Sequence, residues 1–171
     1  FSEKQAPTNV LALSPDGKLL ASKGWGPQEA RLRLWEMASG TQLPQFPPVR
    51  TSSRALAFSP DGRALAFSPE YGICLLDVPT GKELHHTGQG PYAGTFVAFS
   101  PDGKTFAWGR LADDGKQYFH LSSPATGQEI RCIDTQVKGD VRWAAYSPDG
   151  QTLFARQNER VSAWSLAGNR G

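Results

Sequence analysis

The tetrapeptide Ser-Pro-Asp-Gly occurs four times in this chain, starting at Ser14, Ser59, Ser100 and Ser147, at spacings of 45, 41 and 47 residues. No other feature constrains the fold as tightly. Self-similarity at a period of about 40–45 residues marks a repeat architecture, in which each unit buries its apolar faces only against its neighbours. The flanks repeat as well. Ala12, Ala57, Ala98 and Ala145 stand two positions before the serine, and Leu13, Phe58, Phe99 and Tyr146 one position before it. Leu20, Leu65, Phe106 and Leu153 follow six positions after it. Three repeats close with a small pair, Ser39-Gly40, Thr80-Gly81 or Thr126-Gly127, and an apolar residue follows each at Leu43, Leu84 and Ile130.

Read physically, each unit is a strand, a tight turn, a second strand, a variable loop, a third strand, another tight turn and a fourth strand. In Ser-Pro-Asp-Gly the proline presets φ, the aspartate hydrogen-bonds locally and the glycine accepts a left-handed conformation. The 18 glycines and 13 prolines therefore mark many short turns rather than disorder, because they recur at fixed positions. Strands such as Leu-Ala-Phe-Ser and Ala-Leu-Ala-Phe in the second repeat are apolar on successive residues, which implies burial on both faces. The expected fold is all-β: a β-propeller of four consecutive four-stranded antiparallel blades, at about residues 9–46, 54–86, 94–133 and 140–166. The last blade lacks a recognisable outermost strand. The chain is expected to be part of a larger ring, and its start at Phe1 without a basic-then-apolar leader fits a piece of something longer.

Arg31-Leu-Arg-Leu-Trp-Glu36, Ile73-Cys-Leu-Leu-Asp77 and Val161-Ser-Ala-Trp-Ser165 fall where WD-repeat proteins carry their Trp-Asp dipeptide. Over residues 9–166 the sequence resembles that family, with departures. No Gly-His dipeptide precedes a blade, and Trp35-Glu36, Leu76-Asp77, Ser122-Ser123 and Trp164-Ser165 replace the full Trp-Asp pair. The family's buried His–Ser–Asp–Trp network is therefore expected to be absent. The third repeat, with its Asp113-Asp114-Gly115 hairpin, also resembles the TolB-type propeller repeat. The WD-repeat resemblance implies a scaffold for protein–protein contact.

A net charge of +2, from 18 basic and 16 acidic residues without blocks, gives no footprint for nucleic acid or an anionic membrane. No apolar run is long enough to span a bilayer. Cys74 and Cys132 are too few for a disulfide framework and read as free buried thiols. His85-His86 is a weak metal pair, since neighbours on an extended chain point to opposite faces, and the two read as solvated loop histidines. Asp113-Asp114-Gly115-Lys116 lacks the spaced acidic ligands of a calcium loop and reads as a hairpin turn. No nucleophile elbow, phosphate loop or spaced His/carboxylate set is present. No catalytic residue, cofactor or metal is expected.

Strand direction puts the Ser-Pro-Asp-Gly and Thr-Gly turns at one end of each blade and the variable loops at the other, where function is expected. Those loops carry Trp25, Tyr71 and Tyr92 with Arg50, Arg54, Arg142, Arg156 and Arg160, the composition of an interface. An open half-ring would also leave bare flanks, with Leu11, Leu20 and Leu34 in the first blade and Trp143, Leu153 and Trp164 in the fourth as unsatisfied apolar residues. The expected function is a non-catalytic interaction module whose partner is other protein: the rest of its own propeller, a tightly bound subunit or another copy. A structural subunit of a permanent complex and an accessory propeller of an enzyme are the alternatives.

Overall fold

The computed structural model describes residues 8–24, 32–44, 55–69, 71–88, 93–139, 141–157 and 159–167. All regular structure among them is β. Four antiparallel sheets follow one another along the chain, each strand pairing with its sequence neighbour. The first contains β1 (Thr8–Leu13), β2 (Leu19–Gly24) and β3 (Leu32–Glu36), and the second β4 (Leu56–Phe58), β5 (Ala64–Phe67), β6 (Ile73–Asp77) and β7 (Glu83–Thr87). The third contains β8 (Ala93–Phe99), β9 (Phe106–Leu111), β10 (Lys116–Ser122) and β11 (Glu129–Lys138). The fourth contains β12 (Trp143–Tyr146), β13 (Thr152–Gln157) and β14 (Arg160–Ser165). These are the blades of a β-propeller, with β1, β4, β8 and β12 side by side in succession.

Why the turns form where they do is visible in their hydrogen bonds, which are the same in every blade. Ser14, Ser59, Ser100 and Ser147 each donate Oγ–H to Oδ1 of the aspartate two residues on, at 2.5–2.7 Å. Each serine Oγ also accepts the backbone N–H five residues ahead, at 2.8–3.0 Å, so the hydroxyl bridges the mouth of the hairpin. Gly17, Gly62, Gly103 and Gly150 hold φ between 68° and 72°, and each donates its N–H to the serine carbonyl at 2.9 Å. The left-handed backbone explains why glycine stands at all four positions.

Two boundaries differ from the repeat spacing. Among the described residues, the fourth strand of the first blade is represented by a Trp35↔Gln42 bridge and a hydrogen bond from Leu43 N–H to the Leu34 carbonyl at 2.8 Å. In the third, β11 runs on past residue 133 to Lys138 through a bulge that leaves Thr135 and Gln136 unpaired. The bulge is tolerated because its polar groups are satisfied: Thr135 donates Oγ1–H to the Gln117 carbonyl at 2.5 Å and accepts the Val137 N–H at 3.2 Å.

The core lies between blades. Ala21, Leu32 and Leu34 of the first blade pack on Phe58, Leu65 and Leu76 of the second. Ala66, Ile73 and Leu75 on its other face meet Val97, Phe106 and Trp108 of the third. Phe96, Phe119 and Leu121 then meet Ala144, Leu153 and Ala155 of the fourth. Phe58, Phe99 and Tyr146 all turn toward the preceding blade, Phe58 buried and the other two half-buried. The turns interlock as well. A Cβ on Gly62 would lie 3.6 Å from Pro15 Cδ, one on Gly103 3.8 Å from Pro60 Cδ, and one on Gly150 3.5 Å from Pro101 Cδ. Each proline ring thus covers the glycine of the next blade's turn.

Candidate functional site

The repeat supplies an internal control for every blade face. Positions that turn toward the preceding blade are Leu56, Phe58 and Leu65 in the second blade, Val97, Phe99 and Phe106 in the third, and Ala144, Tyr146 and Leu153 in the fourth. All are buried or half-buried. Their equivalents in the first blade are Leu11, Leu13 and Leu20, and there Leu11 and Leu13 are 60% and 55% exposed. Trp35, across the ladder from Leu20, shares that face and donates Nε1–H to Ser22 Oγ at 2.7 Å. Beside them Gly17 has no atom of the described residues, beyond its chain neighbours, within 4 Å of where a Cβ would stand, so among those residues the glycine covered by a proline in the other three blades is open here.

The opposite flank of the molecule is the outward face of the fourth blade. Trp143, Arg156 and Val161 are cross-strand neighbours, as are Ala145, Phe154 and Ala163, and both rows turn away from the third blade. Trp143 is 53% and Val161 65% exposed, whereas the residues equivalent to Val161 in the other blades, Leu32, Ile73 and Phe119, are fully packed. Phe154 breaks the repeat. Its position holds Ala21, Ala66 and Ala107 in the other blades, each completely buried under the following blade. A bulky ring here projects where the internal interfaces tolerate only a methyl group.

Of the residues singled out from sequence, Trp25, Arg50, Arg54 and Tyr92 lie outside the described residues. Arg142, Arg156 and Arg160 are exposed and come together at one end of the fourth blade, next to Trp143 and Val161. Tyr71 is exposed but stands apart, on the turn before β6, where its carbonyl contacts His86 Nε2 at 2.7 Å. The bare-flank assignment needs correction at three positions. Leu34 is buried against the second blade, Leu153 against the third, and Trp164 rests on Phe119 with ring centroids 4.8 Å apart. Strand pairing puts these three on the inward face, because side chains alternate from one residue to the next.

His85 and His86 are not loop residues but lie on β7, on opposite faces, and His85 Nε2 is 2.9 Å from the Ala125 carbonyl of the third blade. Cys74 is buried, and burial pushes its thiol up to about 12; Cys132, by contrast, is exposed rather than buried. Asp113-Asp114-Gly115 forms the expected hairpin, with Lys116 N–H donating to Asp114 Oδ1 at 3.0 Å. Two tryptophan–serine bonds cross the sheets of blades one and three: besides the Trp35–Ser22 bond, Trp108 Nε1–H donates to Ser122 Oγ at 3.1 Å. His120 stacks on that Trp108 ring, centroids 4.1 Å apart, and its Nδ1 lies 2.7 Å from Glu129 Oε2. Burial holds the imidazole below its usual value although Glu129 pulls the other way.

Sequence reading missed Phe154 and the His120–Glu129 pair. Phe154 was detectable as the one departure from alanine in its repeat column. The His120–Glu129 contact had no such signal, because it depends on a register slip between Leu121 and Ser122.

No family model matches the chain. It is 25% identical over 164 residues to Centriole proteome protein 16 of Chlamydomonas reinhardtii, an alignment covering 95% of this chain and 7% of that protein. A chain of Kuenenia stuttgartiensis hydrazine synthase superposes with a TM-score of 0.78 at 20% identity, covering 98% of this chain and 48% of that one. The chain thus spans less than half the length of either. What the structural likeness establishes, with the four stacked antiparallel sheets, is the β-propeller fold.

Proposed function

We propose that this chain is a non-catalytic protein-interaction segment of a WD-repeat-like propeller, and that its two open blade faces are the surfaces through which it works. The observation that carries this reading is the contrast between equivalent positions. Leu11 and Leu13 stand in solvent while the same positions in three other blades are packed, and Val161 stands in solvent while its three equivalents are packed. Apolar faces of this extent on otherwise polar molecules mark contact with other protein. The two faces differ in kind. The first blade retains the residues that a preceding blade covers elsewhere in the chain, including an uncovered Gly17, so it suits another blade of the same repeat. The fourth presents Trp143, Phe154 and Val161 with Arg156 on the same face, and Arg142 and Arg160 stand at the adjoining end of the blade, the tryptophan and arginine enrichment of binding hot spots.

Sedimentation velocity of the purified chain over a dilution series tests the reading. Association is expected, and Leu11→Ser with Leu13→Ser, or Trp143→Ser with Val161→Ser, should each weaken it. A chain that remains a well-behaved monomer at every concentration would overturn the proposal.

A further inference from the structure

The face of the third blade turned toward the second holds a cluster that the repeat does not explain. His120 on β10 and Cys132 on β11 are directly opposite across the antiparallel ladder, so their side chains leave the same face of the sheet. The ladder then slips, and Glu129 instead of Ile130 stands opposite Ser122. Since Ser122 is two residues from His120, Glu129 falls on that face too. One ligand atom from each of His120, Glu129 and Cys132 lies within 4.8 Å of the other two. His120 is buried against Trp108, whereas Glu129 and Cys132 are exposed. The second ring nitrogen, Nε2, is buried with no hydrogen-bond partner among the described residues.

We infer that His120, Glu129 and Cys132 form a binding site for a divalent cation of the zinc type. Imidazole, carboxylate and thiolate are the donors such an ion takes, at about 2.0–2.3 Å and in tetrahedral array, which sets donor atoms about 3.3–3.8 Å apart. From within 4.8 Å that spacing requires small adjustments by Glu129 and Cys132 alone, the two exposed members. The member that must already be in place is His120, and the Trp108 stack at 14° holds its ring plane. Before binding, the Glu129 carboxylate 2.7 Å from Nδ1 holds the single imidazole proton there; on binding, that proton moves to Nε2, and the Nδ1 lone pair and the carboxylate both turn on the ion. Cys132 releases its thiol proton in the same event. The exposed side leaves room for water as the fourth ligand. Hard cations such as calcium or magnesium are excluded by the nitrogen and sulfur donors. The want of an acceptor for Nε2–H weakens the site by about 10–100-fold against one with a complete outer shell.

The test uses the reduced full chain and Co(II) as a spectroscopic probe. One equivalent should bring up the near-ultraviolet thiolate-to-cobalt charge-transfer band, and Zn(II) should abolish it and protect Cys132 from alkylation as read by mass spectrometry. Cys132→Ser should lose the band. Glu129→Gln should weaken binding at least about tenfold, and His85→Ala with His86→Ala should leave it unchanged. Both ligand variants lie on the surface, so their folding is checked by unchanged melting. Absence of the band in the wild-type chain, wild-type affinity in Cys132→Ser or Glu129→Gln, or loss of the band in the His85/His86 variant would overturn the site.

Discussion

Leu65 of the second blade and Leu13 of the first lie on neighbouring inner strands of their blades and turn toward the same side, yet only one of them has a blade to pack on. Leu65 is completely buried, paired with Phe58 on one side and Leu76 on the other in the core between the first two blades. Leu65→Ala removes three buried carbons and leaves a cavity enclosed by neighbouring strands that cannot collapse, so about 3 kcal/mol is expected from a range of about 2–5. Leu13 already has 55% of its surface in water, and any space left by Leu13→Ala fills with solvent. Full burial of a leucine contributes about 1.5–3 kcal/mol, so the half-covered side chain forfeits about 1 kcal/mol at most. The two variants should therefore differ by about 2 kcal/mol. Urea unfolding followed by tryptophan fluorescence measures both, with an unchanged slope as the sign that the native and unfolded states are otherwise the same. The comparison is made first at a dilution where the chain is monomeric. Raising the concentration should then increase the Leu13→Ala penalty as the face becomes covered. Equal losses for the two variants in the dilute monomer would refute the assignment of an open first-blade face.

Gly62→Val should destabilise by about 1–3 kcal/mol, because a β-branched residue is forced to φ +71°. Space is not the issue, since the nearest atom to a new Cβ is Pro15 Cδ at 3.6 Å, so a melting temperature equal to wild type would contradict the turn assignment. The aspartates of the four turns, Asp16, Asp61, Asp102 and Asp149, are all held below the usual carboxylate range, first by the serine hydroxyl and then by a backbone N–H. A depressed native value means that their contribution is complete above the unfolded-state value of about 4 and is lost as pH falls through the native ones. Urea midpoints should accordingly drop below about pH 4, and Ser59→Ala should blunt that drop; a midpoint independent of pH down to pH 3 would contradict it. At the other extreme, burial pushes the Tyr146 hydroxyl up to about 12, so its contribution persists to about pH 10 and is lost as pH rises toward 12.

The turns were fully legible because everything that makes them is local. Serine, aspartate and glycine satisfy one another within five residues, and the chemistry is the same wherever the tetrapeptide stands. Sheet order was legible for a related reason: each strand pairs with the next in the chain, so no long-range pairing had to be chosen. What tertiary structure alone decided is which apolar residues are covered. Leu20 and Leu34 read alike in sequence, yet β2 and β3 pair so that Leu34 turns into the second blade while Leu20 turns to the open side. Leu153 and Trp164 look as exposed as Trp143 until the register of the last sheet sends them inward. The meeting of His120, Glu129 and Cys132 lies further still from the sequence, because it hangs on a slip of the β10–β11 ladder. A slip in register reassigns side chains between faces of a sheet, and stacking of whole blades decides which face meets water. Both are settled by contacts between strands, and no stretch of sequence carries those contacts by itself.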